Sequence, residues 1–317
     1  MALSDLAVFS EHTYTSMTEV LRQQIDLFNA ASNGGIVLRS AAREGDYSDE
    51  VFWALIANLV RRRNAYGTGT VAATTLEHLV ATTVKVAAGT PPVTMPPSQF
   101  TWIQRNPEEG GIVYGEQLAV AALADMLNTA ISAFVAGTLN AGAEVYTDQS
   151  ANPTTLVSLN NGARLFGDRA QEIACWLMHS TSVFDIYGAA LTNTAGLFSF
   201  GTVNVRQDGF GRAFVVTDSP SLVEAGGDHY IGGLVPGAVL VEQNNDFDQN
   251  VETNNGFENI QRSIQSEWTY NLGVKGYAWD KTNGGHSPNN AAIATGTNWD
   301  RVATQHKDLA GVLIQVQ

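Results

Sequence analysis

The sequence predicts an α+β fold, and three observations carry that prediction. The stretch Pro107–Gly137 reads as one long helix: apolar or small residues recur at Leu118, Ala122, Met126, Ala130 and Phe134, and a second row follows Leu123, Leu127, Ile131 and Val135. Both rows step by four, so they merge into one broad helical face. An extended segment bounded by Pro91, Pro92, Pro96 and Pro97 leads into it. Short apolar runs after residue 200, punctuated by Gly, Asn and Pro, read as strands. Roughly 25 residues at about 1.5 Å each make a rod near ~40 Å. Such a rod, fed by an extended segment, is shaped for assembly more than for enclosing an active site.

The elements follow in order. Residues 1–15 have weak periodicity and read as an arm whose loss leaves the subunit folded. Ser16-Met17-Thr18-Glu19 has capping-box spacing and opens a helix through Val20, Leu21, Ile25 and Phe28, stopped at Asn33-Gly34-Gly35. Ile36-Val37-Leu38 reads as a short strand. Ser48 is read as the start of an amphipathic helix (Val51, Phe52, Leu55, Ile56, Leu59, Val60) ending at Arg61-Arg62-Arg63, where cations suit a helix C-terminus. A turn follows at Tyr66–Gly69. Segment 71–88 is balanced between helix (Leu76, Leu79, Val80, Val84) and strand (Thr82–Val86). Past the long helix, 140–155 is a polar connection and 162–178 an amphipathic helix. Phe198–Val205, Arg212–Asp218, Tyr230-Ile231, Ala238–Val241, Ser263–Asn271 and Val274–Trp279 read as strands, with breaks at Gly232–Gly237 and Gly273. A short helix is expected over Asn298–Lys307, then a final strand, Gly311–Ile314.

Composition limits the function. The chain has 317 residues, 44% of them hydrophobic, which is enough for a sizeable core. Its net charge is −14, from 17 Lys+Arg against 31 Asp+Glu, so a protein gripping phosphates along a groove is not expected. Arg61–Arg63 is the one dense basic run; its first reading is the helix end, and a nucleic-acid or partner contact is the alternative. The single Cys175, in Ile173–Met178, is expected to be a buried thiol, and a chain with one cysteine fits a reducing compartment. The N-terminus has no basic region and no long apolar core, so it is not a signal peptide. Asp125 and Asn128 sit near the centre of 118–136, which argues against a transmembrane span.

No chemistry-bearing motif stands out. His12, His78, His179, His229, His286 and His306 form no HxxxH or HExxH pair, and there is no GxSxG, P-loop or CxxC. His179-Ser180 with Asp185, and Asp228-His229, read as helix-end and turn residues more than as catalytic groups. Asn245–Glu252 offers alternating oxygen ligands, but Val251 stands where a calcium loop needs Gly and Phe257 where it needs Glu, so a solvated loop is expected. Glu108 and Glu109 suit the positive end of the long helix. The tryptophans read as packing anchors, since no basic groove accompanies them. No catalytic, cofactor-binding or metal-binding residue is assigned.

The order of segments carries a resemblance. Val84-Lys85 leads through Pro92-Val93 to Phe100-Thr101-Trp102-Ile103, then Pro107–Gly110 and the long helix with Asp125 and Leu127-Asn128-Thr129-Ala130. Trp176–Ser180, Gly211–Asp218, Gly237-Ala238-Val239, Thr297–Asp300 and Lys307–Val312 follow. Over about residues 16–317 this resembles the major capsid proteins of tailed bacteriophages, which share the HK97-type fold.

What the resemblance implies is an L-shaped structural subunit, not an enzyme, that works without a cofactor. Residues 1–35 would be an N-terminal arm, 36–105 an extended loop region, 106–150 with 278–317 a peripheral domain holding the spine helix, and 151–277 an axial domain. Pentamers and hexamers would close an icosahedral shell around packaged double-stranded DNA without sequence-specific binding. The virion would be the final location, with assembly in the bacterial host cytoplasm and no membrane. Relatives that carry a long cleaved N-terminal segment differ from this chain, so a separate scaffolding protein is expected, with portal and decoration proteins as further partners. Relatives that crosslink a loop lysine find a counterpart region at Lys85, but no catalytic carboxylate is marked for it. The alternative within the same fold is an encapsulin-like compartment enclosing a cargo enzyme.

Overall fold

The computed structural model describes residues 3–53, 60–95, 106–190, 205–207, 212–224, 226–255, 258 and 261–317. The expected features at Phe100–Ile103, Leu55–Leu59 and Phe198–Asn204 lie outside these residues. Helix α1 (Leu3–Ala31) opens the chain. It begins well before Ser16, which corrects the expected helix start there. The reason is a buried row that continues N-terminally at the same spacing: Phe9, Thr13, Met17, Leu21 and Ile25. Thr13 hides that row in the sequence because it is polar. Its hydroxyl donates to the Phe9 carbonyl at 2.9 Å, which satisfies it inside the protein.

Strand β1 (Ile36–Ser40) follows, then β2 (Tyr47–Trp53), β3 (His78–Gly89) and β4 (Val93–Met95). The predicted helix from Ser48 is therefore a strand in its first half. Tyr47 through Trp53 pair residue by residue with Val84 back to His78. That pairing also resolves segment 71–88, whose end is strand. Residues 60–64, where the helix was expected to end, have no regular structure.

The spine helix α2 (Pro107–Ala141) has 35 residues, about 52 Å of rod. The first predicted row is its buried face: Leu118, Ala122, Met126, Ala130 and Phe134 are all at most 4% exposed. The helix is long and apolar enough to cross a bilayer. Here its apolar face is covered by protein, first by α1 and then by the sheets. Asp125 accepts a hydrogen bond from the Tyr270 hydroxyl at 3.1 Å, which ties the spine to a segment far along the chain.

The α1–α2 contact depends on two glycines. A β-carbon at Gly111 would lie 2.6 Å from the Phe9 carbonyl oxygen, and one at Gly115 would lie 2.5 Å from that of Thr13. Their absence lets the helix backbones meet, and Ser16 Oγ then donates to the Ile112 carbonyl at 3.2 Å. Gly115→Val is expected to cost about 1–3 kcal/mol by forcing the helices apart. A thermal melt checks this, with the exposed Val120→Ala as the control that stays within ~0.5 kcal/mol. Equal melting temperatures for Gly115→Val and the parent chain would refute the close packing.

The remaining elements are β5 (Tyr146–Gln149), α3 (Leu156–Ala163), β6 (Cys175–Met178), α4 (Ser180–Ala190), β7 (Val205–Gln207), β8 (Ala213–Val216), β9 (His229–Leu234), β10 (Val239–Gln243), β11 (Asp248–Asn254), β12 (Gln261–Val274), β13 (Tyr277–Trp279), α5 (Asn290–Ile293), β14 (Trp299–Arg301) and β15 (Gly311–Val316). The polar connection 140–155 thus contains a strand. The helix predicted over 162–178 does not form: α3 ends at Ala163, a 3-10 segment kinked at Gly167 follows, and Cys175–Met178 is a strand buried on both faces. A short apolar run reads equally as buried helix or buried strand, and here pairing with β8 and β9 decides it. Strand β9 continues through Gly232 and Gly233. The break expected at Gly273 falls instead at Gly276, whose φ of 81° turns the chain between β12 and β13. The helix expected over 298–307 is β14 followed by a 3-10 turn at His306–Asp308.

The strands form two main sheets. The first runs β1-β10-β12-β3-β2, with β4 and β11 also on β12; the second runs β5-β15-β9-β6-β8-β7. The C-terminal strand β15 lies between β5 and β9 in the second sheet. Strands β10 and β12, from the middle of the chain, build the first sheet beside β1 and β3. The small β13–β14 ribbon packs the T-shaped pair Trp279–Trp299, 4.9 Å apart, confirming these as anchors.

Candidate assembly surface

The residues weighed for chemistry do not combine into a reaction centre. Among the described residues no group of three or more His, Cys, Asp and Glu side chains could hold a metal. His179 and His229 do meet, with stacked rings 4.9 Å apart. His179 Nδ1 accepts from the Thr181 backbone N–H at 3.2 Å, and its Nε2 lies 3.5 Å from Asp218. These contacts hold the first turn of α4, whose Ser180 N–H donates to Asp218. Burial and the neighbouring His179 push the His229 imidazole below its ordinary value. Cys175 is buried, and desolvation pushes its thiol up to about 12, which leaves it protonated and unreactive.

The acidic stretch 245–252 is only partly a loop. Asp248 onward is β11, paired with β12, and Asp246 accepts from the Thr269 N–H at 2.8 Å. Lys85 lies within the first sheet and donates to the Arg43 carbonyl at 3.2 Å. Glu108 and Glu109 occupy the first turn of α2.

What the structure builds instead is a projecting ribbon. Strand β3 pairs with β12 from Val84 to Gly89, and with β2 from Val84 back to His78. Beyond Val84, β2 and β3 pair only with each other among the described residues. Thr82 is buried, but the outer residues are open to solvent: Val51 is 63% exposed, Val60 88% and Tyr66 95%, and Val71, Leu76 and Val80 are exposed too. All of residues 60–77 are exposed. An isolated two-stranded ribbon is marginal in water, and a run of exposed apolar side chains on it calls for a cover. A sequence signal exists on one strand, where Val80, Thr82, Val84 and Val86 alternate along β3. Its counterpart on β2 is masked by helical spacing in 51–60.

The root of the ribbon is fixed by charge. Glu242, buried on β10, accepts from Arg39 Nε at 2.8 Å and Arg43 Nε at 2.9 Å. Arg43 N–H also donates to Asn244 Oδ1 at 3.1 Å, and Asn271 Nδ2 reaches the same oxygen at 2.9 Å. Farther out, Lys281 bonds Asp49 at 2.7 Å and stands over the Tyr47 ring. Burial pushes the Glu242 carboxyl up, but the hydrogen bonds and charges of Arg43 and Arg39 outweigh it and hold it below the ordinary glutamate value. Because the folded value is depressed, this stabilisation is present above the unfolded value of about 4.3. It is lost as pH falls from there through the folded value. Glu242→Gln is expected to cost about 1–2 kcal/mol at neutral pH, since the arginines are partly solvated. The difference between the two melting temperatures should shrink below about pH 4. A gap that widens with acid would contradict the assignment.

Residues 5–313 match the family model described as Gp13-like, major capsid protein 13-like. None of the curated proteins compared matches the chain. Among solved structures, the chain is similar to the cyanophage Pam1 capsid asymmetric unit, with a TM-score of 0.51 and 10% identity over 86% of this chain and 85% of that one. It is also similar to the capsid of Myoviridae phage XM1 (TM-score 0.49, 11% identity, 90% of each chain). A third similar structure is the acidic stable capsid of Helicobacter pylori bacteriophage KHP30 (0.48, 8%, 89% and 86%). At such identity the likeness to the Pam1 chain is one of fold.

Proposed function

The chain belongs to the Gp13-like family of major capsid proteins, and from that premise we propose that its copies close into an icosahedral shell of pentamers and hexamers around packaged double-stranded DNA. It is a structural protein of the phage virion, and its partners in the shell are copies of itself. The observation that carries the finer reading is the bare β2–β3 ribbon. Its exposed apolar residues have no cover among the described residues, and a neighbouring copy supplies one. Many such contacts, each modest, sum to a stable closed shell through repetition.

The division of labour follows the two sheets. The second sheet with α4, including β15 and most of 151–238, serves as the axial domain around the five- and six-fold axes. The spine, the first sheet and the β13–β14 ribbon serve as the peripheral domain, so β10–β12 act there although they lie within 151–277. Residues 36–105 act as the extended loop region, and 1–35 hold the spine before contacting neighbours. The net charge of −14 suits a container that confines DNA by its walls. A separate scaffolding protein, a portal and decoration proteins complete assembly in the host cytoplasm, without a membrane. Electron microscopy of particles from cells making this chain with its scaffold and portal tests this reading. Closed icosahedral shells with nuclease-resistant double-stranded DNA are expected. Shells holding a single cargo protein and no DNA would overturn the DNA-container reading.

A further inference from the structure

The basic run Arg61-Arg62-Arg63 was expected at a helix end, and the structure leaves it without that role. All three arginines are exposed on the irregular stretch beyond β2, and none forms an ion pair with a described residue. They make up three of the 17 basic residues of an acidic chain. Guanidinium groups left unpaired on a projecting ribbon are suited to planar, bidentate capture of carboxylates on another surface.

The complementary surface lies on the β11–β12 hairpin. Its outward face is set by register: Asp248 is opposite Glu267, Asn250 opposite Gln265, and Glu252 opposite Ser263. These residues line one open groove. Asp248 and Glu267 are like charges directly opposed across two strands, an arrangement that destabilises a sheet unless a cation intervenes. Asp248, Glu252 and Glu267 form no ion pair among the described residues. Arg39 and Arg43, on the same face of the first sheet, are already committed to Glu242. One surface of the chain thus carries unspent positive charge, and another carries opposed negative charge.

We propose that Arg61-Arg62-Arg63 of one copy seat on the Asp248–Glu252–Glu267 face of a neighbouring copy, giving the shell contact its direction and register. This rests on the capsid reading. The ribbon brings exposed Val60 and Tyr66 beside the arginines, so apolar cover and charge pairing arrive together on a protein partner. A phosphate backbone would supply only the charge. Because the pairing is between exposed groups, its main effect is on the rate and selectivity of association, and it weakens with salt.

The test is a charge swap on the full chain, with particle formation followed by light scattering and electron microscopy. The parent chain comes first: if it forms no particles, the capsid reading fails rather than this pairing. Arg61→Glu/Arg62→Glu/Arg63→Glu is expected to slow assembly by about tenfold or more. Asp248→Lys/Glu252→Lys/Glu267→Lys should do the same, and the two sets combined should recover assembly. Thermal melts establish that each variant folds. If the lysine set does not fold, Asp248→Asn/Glu252→Gln/Glu267→Gln replaces it and should flatten the salt dependence of assembly. Undiminished assembly of the glutamate set overturns the proposal. So does an arginine defect that no acidic-face change relieves. A shell that assembles normally but retains less DNA would assign the arginines to nucleic acid instead, and would also overturn it.

Discussion

Met126→Asp is expected to leave no folded subunit. Met126 is 1% exposed, between Ala122 and Ala130, which are fully buried, on the spine's core face. Truncating a buried side chain of this size costs about 2–5 kcal/mol by itself. Placing a carboxylate there adds the desolvation of an unpaired charge, several kcal/mol more at about this depth. A domain is stable by only about 5–15 kcal/mol, so the sum removes most of its stability. The spine contacts α1 and both sheets, and nothing local can absorb the loss. Soluble yield and circular-dichroism melts measure it. Met126→Leu, which nearly conserves volume, should cost under ~1.5 kcal/mol. A soluble Met126→Asp chain with a cooperative melt near the parent's would refute the placement of the core.

Replacing residues 61–76 with a short Asn-Gly turn is expected to do the opposite: the subunit folds and the shell does not form. All sixteen residues are exposed, so little burial within the subunit is lost. Shortening a flexible loop changes closure entropy by only about 0.6 kcal/mol per halving. The network of Glu242 with Arg39 and Arg43 at the root is untouched. What disappears is the apolar and cationic surface that the ribbon offers to a neighbour. Melting temperature should hold within a few degrees while the particle peak in light scattering is lost. Shells at parental yield would show that the ribbon is dispensable.

The sequence carried some of this architecture plainly and other parts hardly at all. The spine was legible because two four-residue rows persist over several turns and only a helix satisfies them. The C-terminal strand was legible because its apolar run is short and ends the chain. The first half of α1 was hidden by Thr13, a polar residue in a buried row, satisfied by a bond to its own helix. The stretch 162–178 is ambiguous in sequence because Cys175–Met178 is apolar at every position, and no period separates helix from buried strand there. The sheet partners of the last strand are hidden for a nonlocal reason: β15 inserts between β5 and β9, which lie far from it in sequence. The assembly surface was the least legible part. An exposed apolar ribbon and an amphipathic helix have the same composition, and the β2–β3 register distinguishes them only once the chain is folded.

The central claim is that the ribbon, bare in the subunit, is covered by a neighbouring copy in the shell. Arg61, Arg62 and Arg63 offer a direct readout, because trypsin cleaves after arginine and these three are exposed. Purified particles and dissociated subunits would be digested side by side, with mass spectrometry of the products. Rapid cleavage at 61–63 in subunits and strong protection in particles is the result expected. Equal cleavage in both states would mean that no neighbour covers the ribbon, and the account would fail.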